Sequence, residues 1–269
     1  MAKAITLKPL KGIYMKYALA AQGFINSDIN HNKKVIIEFM KELSTKADMI
    51  IFGEAFLQGF YALDFKSEKD LDLALSIDDP IIKEIKKAAK DYNIGVSFGF
   101  IERDKDKIYS SQLTIDKSGE IINLFRRVSP GWKEAFSNER YLEGHGFYSF
   151  TIDGQKIVIG LCGDLRFEEN IEKVKELNPD IVWWPVYTDY NYKNWNDEIK
   201  YEYCIQASKI CKNTLYVNSY CLDKASEDEI AKGGAAYFYD GIIKKEIPSG
   251  EEGILLIEID SDEGKFDGK

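Results

Sequence analysis

Short runs rich in β-branched and aromatic residues alternate with amphipathic stretches along nearly the whole chain. Strand–helix–strand units stand at both ends, and turn-linked strands fill the middle. The first unit reads as a strand over 16–22, a helix over 30–47 and a buried strand over 47–54. Val35, Ile36, Phe39, Met40, Leu43 and Ala47 fall on one stripe of that helix, the spacing of a face that packs on a core. Asp79-Pro80 opens a second helix running to about Tyr92, with aspartate as N-cap and proline at the first helical position. Strands follow over 94–101, 108–115 and 120–126, and the dipeptide Asp153-Gly154 between FYSFTI and KIVIGLC is a strong hairpin signal. A helix over 168–178, a strand over 180–185, a helix over 197–212 and a strand over 214–220 come next. The tail reads AAYFY, Asp240-Gly241, IIKKEI and a closing GILLIEI. No linker-like composition divides the chain, so the reading is one α/β domain over 15–260, two stacked mixed sheets covered by helices, with residues 1–14 as an N-terminal extension.

No apolar run reaches the ~18 residues that span a bilayer, and the apolar core YALAA after the N-terminal lysines is too short for a secretory signal. The net charge of −9 opposes a nucleic-acid or polybasic membrane partner. Four cysteines, at 162, 204, 211 and 221, form no C-x-x-C pair, which predicts a reduced, cytoplasmic protein. His31 and His145 are the only histidines and both sit in polar, surface-like surroundings. The chemistry is therefore expected to run without histidine.

Two residues stand where such folds place working groups. Glu54 follows the buried strand ADMIIFGE, at the strand's C-terminal end; a capping carboxylate and a functional one fit this position equally well. Cys162 ends an apolar strand in KIVIGLCGDLRFEE, with Gly163 turning the chain into a helix. That geometry exposes a nucleophile, and a helix N-terminus favours thiolate. The competing role is a small buried hydrophobe; Cys204, Cys211 and Cys221 read that way.

GLCGDLRFEE resembles the nucleophile motif C-Y-D-x-R-F-P-E of the nitrilase superfamily of carbon–nitrogen hydrolases. FGEAFLQGF resembles its glutamate motif, and IVWWPVY and KGGAAYFYDGIIKKE are similar to later family segments in the same order. The resemblance implies an α-β-β-α sandwich and a Glu-Lys-Cys triad that needs no metal or cofactor. Glu54 would be the general base, Cys162 would form a thioester, and a lysine would hold the oxyanion together with a backbone N–H.

The lysine is where the chain departs from the pattern. In EIINLFRRVSPGWKEAF the register puts Arg127 in the lysine slot, with Pro130 three residues on and the nearest lysine at Lys133. Arg127 could take the role, Lys133 could reach in from a rearranged loop, or the site could be inactive. The expectation is Lys133, with Arg127 bracing a carboxylate such as Glu134. Glu134 stands near the family's second glutamate, and Glu139 is the fallback. Gly53, Gly163 and Glu168 also replace family residues, and Gly163 is read as opening space beside the nucleophile.

Eight aromatic residues fall between Trp183 and Tyr203. Trp183 and Trp184 suit the core, and the loop tyrosines suit a pocket wall or a subunit interface. The reading is thus a thiol-dependent amidase-like hydrolase acting on a small linear amide, working as a homodimer or larger homo-oligomer. A non-catalytic binding subunit and an acyltransferase are the alternatives.

Overall fold

The computed structural model describes residues 14–66, 68–224 and 230–260. The N-terminal extension expected at 1–14 lies outside them except for Tyr14, which opens the first strand. The strands are β1 (Tyr14–Ala21), β2 (Gly23–Phe24), β3 (Met49–Phe52), β4 (Gly95–Asp104), β5 (Lys107–Ile115), β6 (Ile121–Arg126), β7 (Ser149–Ile152), β8 (Gln155–Ile159), β9 (Ile181–Val186), β10 (Asn213–Asn218), β11 (Tyr220–Cys221), β12 (Ala235–Tyr239), β13 (Ile242–Ile247) and β14 (Gly253–Asp260). The helices are α1 (Ile29–Leu43), α2 (Lys69–Leu73), α3 (Pro80–Tyr92), α4 (Glu168–Glu176), α5 (Tyr192–Asn194) and α6 (Lys200–Ser208).

Two six-stranded sheets form, in the orders β14-β1-β3-β4-β5-β6 and β13-β12-β10-β9-β8-β7, beside a small β11-β2 pair. Helical crossovers make β1, β3 and β4 parallel, and likewise β8, β9 and β10. Tight turns make β4-β5-β6, β7-β8 and β12-β13 antiparallel. At Asp153-Gly154 and Asp240-Gly241 all four central residues have positive φ, the conformation that matches the twist of the flanking strands.

Side-chain alternation along the central strands explains the layering. On β1, Tyr17, Leu19 and Ala21 enter the core between the sheets, while Ala18 and Ala20 face the helix layer of α1 and α3. On β9, Ile181 and Trp183 point between the sheets, and Val182, Trp184 and Val186 point to α4 and α6. A strand buried on both faces needs apolar residues at every position, which is why these runs lack polar alternation. The molecule is an α-β-β-α sandwich. Among the described residues no helix is long and apolar enough to cross a membrane.

Two predicted helices differ in detail. The helix expected at 197–212 begins earlier, because the Asn191 side chain accepts the N–H groups of Lys193 and Asn194 and caps the start of α5. A π-type turn over Trp195–Ile199 then leads into α6. The helix expected directly after Cys162 is a five-residue 3₁₀ turn, Cys162–Arg166, before α4 starts at Glu168.

Candidate active site

Glu54, Arg127 and Cys162 follow the C-terminal ends of β3, β6 and β8 and meet where the two sheets come together. The Glu54 N–H donates to Val186 O at the end of β9, 3.1 Å away, which ties one sheet to the other. Residue 53 is glycine for lack of room: a Cβ there would lie 2.4 Å from Ser219 Oγ and 2.8 Å from Val186 O. The Glu54 side chain is fully buried. Its Oε1 accepts from Ser110 Oγ at 2.8 Å and from Arg127 NH1 at 2.9 Å, with Oε2 3.2 Å from the same nitrogen.

Arg127 is buried at 4% exposure. Beyond its pair with Glu54, its Nε donates to Ser129 Oγ at 3.1 Å and its NH2 to Pro130 O at 3.1 Å. Burial works against the guanidinium's charge, but the negative charge of Glu54 foremost, with Asp164 behind it, outweighs it and holds its pKa above the ordinary value.

Cys162 has a φ of 44°, a left-handed conformation rare outside glycine, which persists only where neighbours enforce it. The enforcement is visible. Asp164 Oδ2 accepts from Leu161 N at 2.9 Å, and its Oδ1 accepts from Ser129 N at 2.6 Å and Val128 N at 3.1 Å. The Trp184 indole N–H donates to Cys162 O at 2.8 Å, and the thiol itself donates to Tyr187 O at 3.3 Å. Asp164 thereby fastens the Cys162 turn to the segment carrying Arg127. Burial pushes its carboxyl up to about 6 against the opposing pull of Ser129, Arg127 and the Leu161 N–H.

Burial also pushes the Cys162 thiol up to about 12, and the charge of Glu54 adds to it, while Arg127 and the contact to Tyr187 O pull the other way. The sequence expectation of a helix-stabilised thiolate is corrected here. The 3₁₀ turn supplies little dipole, and desolvation of the charged form dominates. The resting thiol is neutral and faces a carboxylate able to take its proton.

The structure does not bring Lys133 to this pair. Gly131, at φ 96°, turns the loop, and Trp132 sinks into a satellite core with Ala55, Leu63 and Tyr141. Lys133 Nζ then donates to Tyr141 O at 2.6 Å and to Glu143 Oε2 at 2.9 Å. Glu134 and Glu139 are both exposed on the same loop. The carboxylate that Arg127 braces is Glu54, not Glu134.

Most of the aromatic stretch is wall and core. Trp195 stacks on Tyr216 with ring centroids 4.9 Å apart, and Tyr203 packs against Trp184 and Trp195 at 4.9 Å each. Tyr203 and Tyr216 lie within electrostatic range of the Cys162 sulfur. Only Tyr190 and Tyr201 of the eight are well exposed. Sequence reading missed Ser110, Ser129 and Asp164 as supports. Its one available signal was the polar run Ser110-Ser111-Gln112 inside a strand that is otherwise apolar.

The sandwich gathers a buried carboxylate, a buried cation and a cysteine with positive φ at its strand ends. Residues 18–266 match the family described as carbon-nitrogen hydrolase, and the chain belongs to that family. The cyanide hydratase of Pyrenophora teres f. teres is 25% identical over 276 residues, covering 88% of this chain and 74% of that protein. The citrullinase of Francisella tularensis subsp. tularensis is 26% identical over 175 residues, 64% of this chain and 60% of its own length. The glutamine-dependent NAD+ synthetase of Acinetobacter baumannii shares the fold, with a TM-score of 0.78 at 22% identity over 94% of this chain and 47% of that one. The chain thus spans about three-fifths of the citrullinase and about half of the synthetase.

Proposed function

We propose that the protein hydrolyses the C–N bond of a small linear amide or carbamoyl compound through a thioester on Cys162. The observation that carries this is one buried carboxylate, Glu54, that pairs with the Arg127 guanidinium and acts electrostatically on the Cys162 thiol. Glu54 takes the Sγ proton as the sulfur attacks the amide carbon. The oxyanion forms against Arg127 and the Gly163 N–H. The C–N bond breaks, the amine leaves with the proton held by Glu54, and the thioester remains. Glu54 then takes a proton from water as the water attacks the thioester, and the thiol leaves protonated. Amide and water become acid and amine, and both enzyme groups return to their starting states.

The citrullinase and the glutamine-dependent synthetase fit an ω-amide or ureido substrate, whereas the cyanide hydratase names a carbon–nitrogen triple bond as the alternative. Ammonia release from glutamine, asparagine, citrulline and acetamide tests the reading. The wild type is expected to release ammonia from at least one and Cys162→Ala from none. A wild type inert toward these four and toward a broad panel of further amides and nitriles would move the assignment to a binding or regulatory subunit, and product formed only with an amine acceptor would move it to acyl transfer.

We also propose a homodimer or larger assembly. The aromatic loop is mostly buried, and the exposed apolar face lies instead between α6 and β13, where Tyr201 (53%), Ile205 (61%) and Ile242 (59%) line one groove. Exposed apolar faces of this kind mark contacts. Light scattering is expected to return at least twice the monomer mass at micromolar concentration; a monomer at every concentration would reject the assembly.

A further inference from the structure

Gly163 replaces an aromatic of the motif that GLCGDLRFEE resembles, and Arg127 stands in the lysine slot. The two departures meet in space. A Cβ built on Gly163 would lie 2.8 Å from Arg127 NH2 and 3.2 Å from Ser129 Oγ. The first is closer than packed atoms come, and the second is tight. The guanidinium has no easy retreat, because Glu54, Ser129 and Pro130 hold three of its nitrogens and the side chain is 4% exposed. The volume beside the nucleophile that the sequence left open is filled by the arginine.

Backbone freedom does not explain the glycine. Gly163 is not among the residues with positive φ, and it sits inside the Cys162–Arg166 turn, where alanine would normally be preferred to glycine. The side chain is missing for room alone. Donor arithmetic gives that room a purpose. Arginine has five N–H groups, and the four contacts to Glu54, Ser129 and Pro130 use at most four. NH2, which carries a single bond to Pro130 O, is the nitrogen that abuts Gly163. The N–H of a residue at the start of a helical turn also lacks an internal partner.

We propose that Gly163 is a positioning residue for Arg127. It makes room for a guanidinium in place of the smaller lysine ammonium and lets NH2 stand beside the nucleophile as an oxyanion donor. The pair is one adaptation, so each residue constrains the other. This rests on the thioester reading only for its catalytic consequence; the packing claim stands without it.

A double-mutant cycle tests it with Gly163→Ala, Arg127→Lys and the combination. Gly163→Ala is expected to cut turnover by roughly tenfold or more, the scale of an overpacked core site, and to lower the thermal midpoint despite the better helix propensity. In the Arg127→Lys background the same change is expected to cost less than about twofold, because the shorter, single-headed lysine leaves the volume empty. A purely structural role would not alter the thiol, so the pH dependence of Cys162 alkylation by iodoacetamide is read as well. Gly163→Ala moves the guanidinium off, so the alkylation midpoint is expected to rise in the wild-type background. In the Arg127→Lys background, where the added methyl displaces no cation, the midpoint is expected to stay put. Equal losses in both backgrounds, in turnover, thermal midpoint and alkylation, would overturn the proposal. If no substrate is found, the thermal and alkylation cycles still decide it, which separates its failure from failure of the thioester reading.

Discussion

Replacing Arg127 with alanine is expected to cut turnover by about 10²–10³-fold, the cost of losing one oxyanion donor, and to lower stability by about 3–5 kcal/mol. The second effect follows from burial. Glu54 has no exposure and would lose its charged partner, keeping the neutral Ser110 hydroxyl as donor, and removing half of a buried ion pair leaves an uncompensated charge. Lys133→Ala makes the contrast. Its ammonium bonds Glu143 and the Tyr141 carbonyl, and both side chains of that ion pair are partly in solvent, at 22% and 29% exposure. A pair of that kind contributes about 1 kcal/mol or less, so turnover should stay within about threefold of wild type. Steady-state kinetics and urea midpoints on both variants check this. The reverse ranking, with Lys133→Ala inactive and Arg127→Ala near wild type, would mean that the loop rearranges and lysine supplies the cation.

Glu54→Gln is expected to split two properties that usually fall together. Turnover should drop by about 10²-fold or more, because the amide cannot accept the thiol proton or activate water. The reactivity of Cys162 toward iodoacetamide should rise at the same pH. The sign follows from the causes acting on the thiol: burial comes first, the negative charge of Glu54 second, and both hold its pKa up, at about 12. Removing the charge lets the pKa fall and enlarges the thiolate fraction, with Arg127 now free to stabilise it. The pH profile of alkylation should therefore shift to lower pH as turnover collapses. Unchanged turnover would remove Glu54 from the mechanism, and a profile shifted to higher pH would show that Glu54 does not face the sulfur.

How far the site was legible in the residues depended on whether a group works through its own chain neighbourhood or across the fold. Cys162 and Glu54 announce themselves because each ends an apolar strand, and strand ends are where the two sheets converge. The hairpins at Asp153-Gly154 and Asp240-Gly241 were legible because the turn chemistry is local. The cation was not. Choosing between Arg127 and Lys133 required knowing that Gly131 and Trp132 carry the loop away into the core beside Ala55 and Tyr141, a long-range packing fact. The state of the thiol was misjudged for a related reason: the strand–turn–helix pattern suggests a dipole, but the turn is 3₁₀ and desolvation decides. Gly163 was read as open space because nothing local says that a guanidinium from the end of β6 fills it. The aromatic run was legible as a wall only in part, since a composition count does not separate Trp195 and Tyr203, which bury themselves in the cluster that Cys162 packs against, from Tyr201, which stays in solvent.

Acid-quenched mass spectrometry tests the thioester most directly. Enzyme is mixed with the best amide of the panel, stopped within the first turnover and digested, and the peptide bearing Cys162 is weighed. The expected result is an acyl group on Cys162 alone, which forms as the first ammonia is released and decays with the appearance of acid. Ammonia released at the full rate with Cys162 unmodified at every time point, and retained by Cys162→Ala, would contradict a covalent mechanism at this residue.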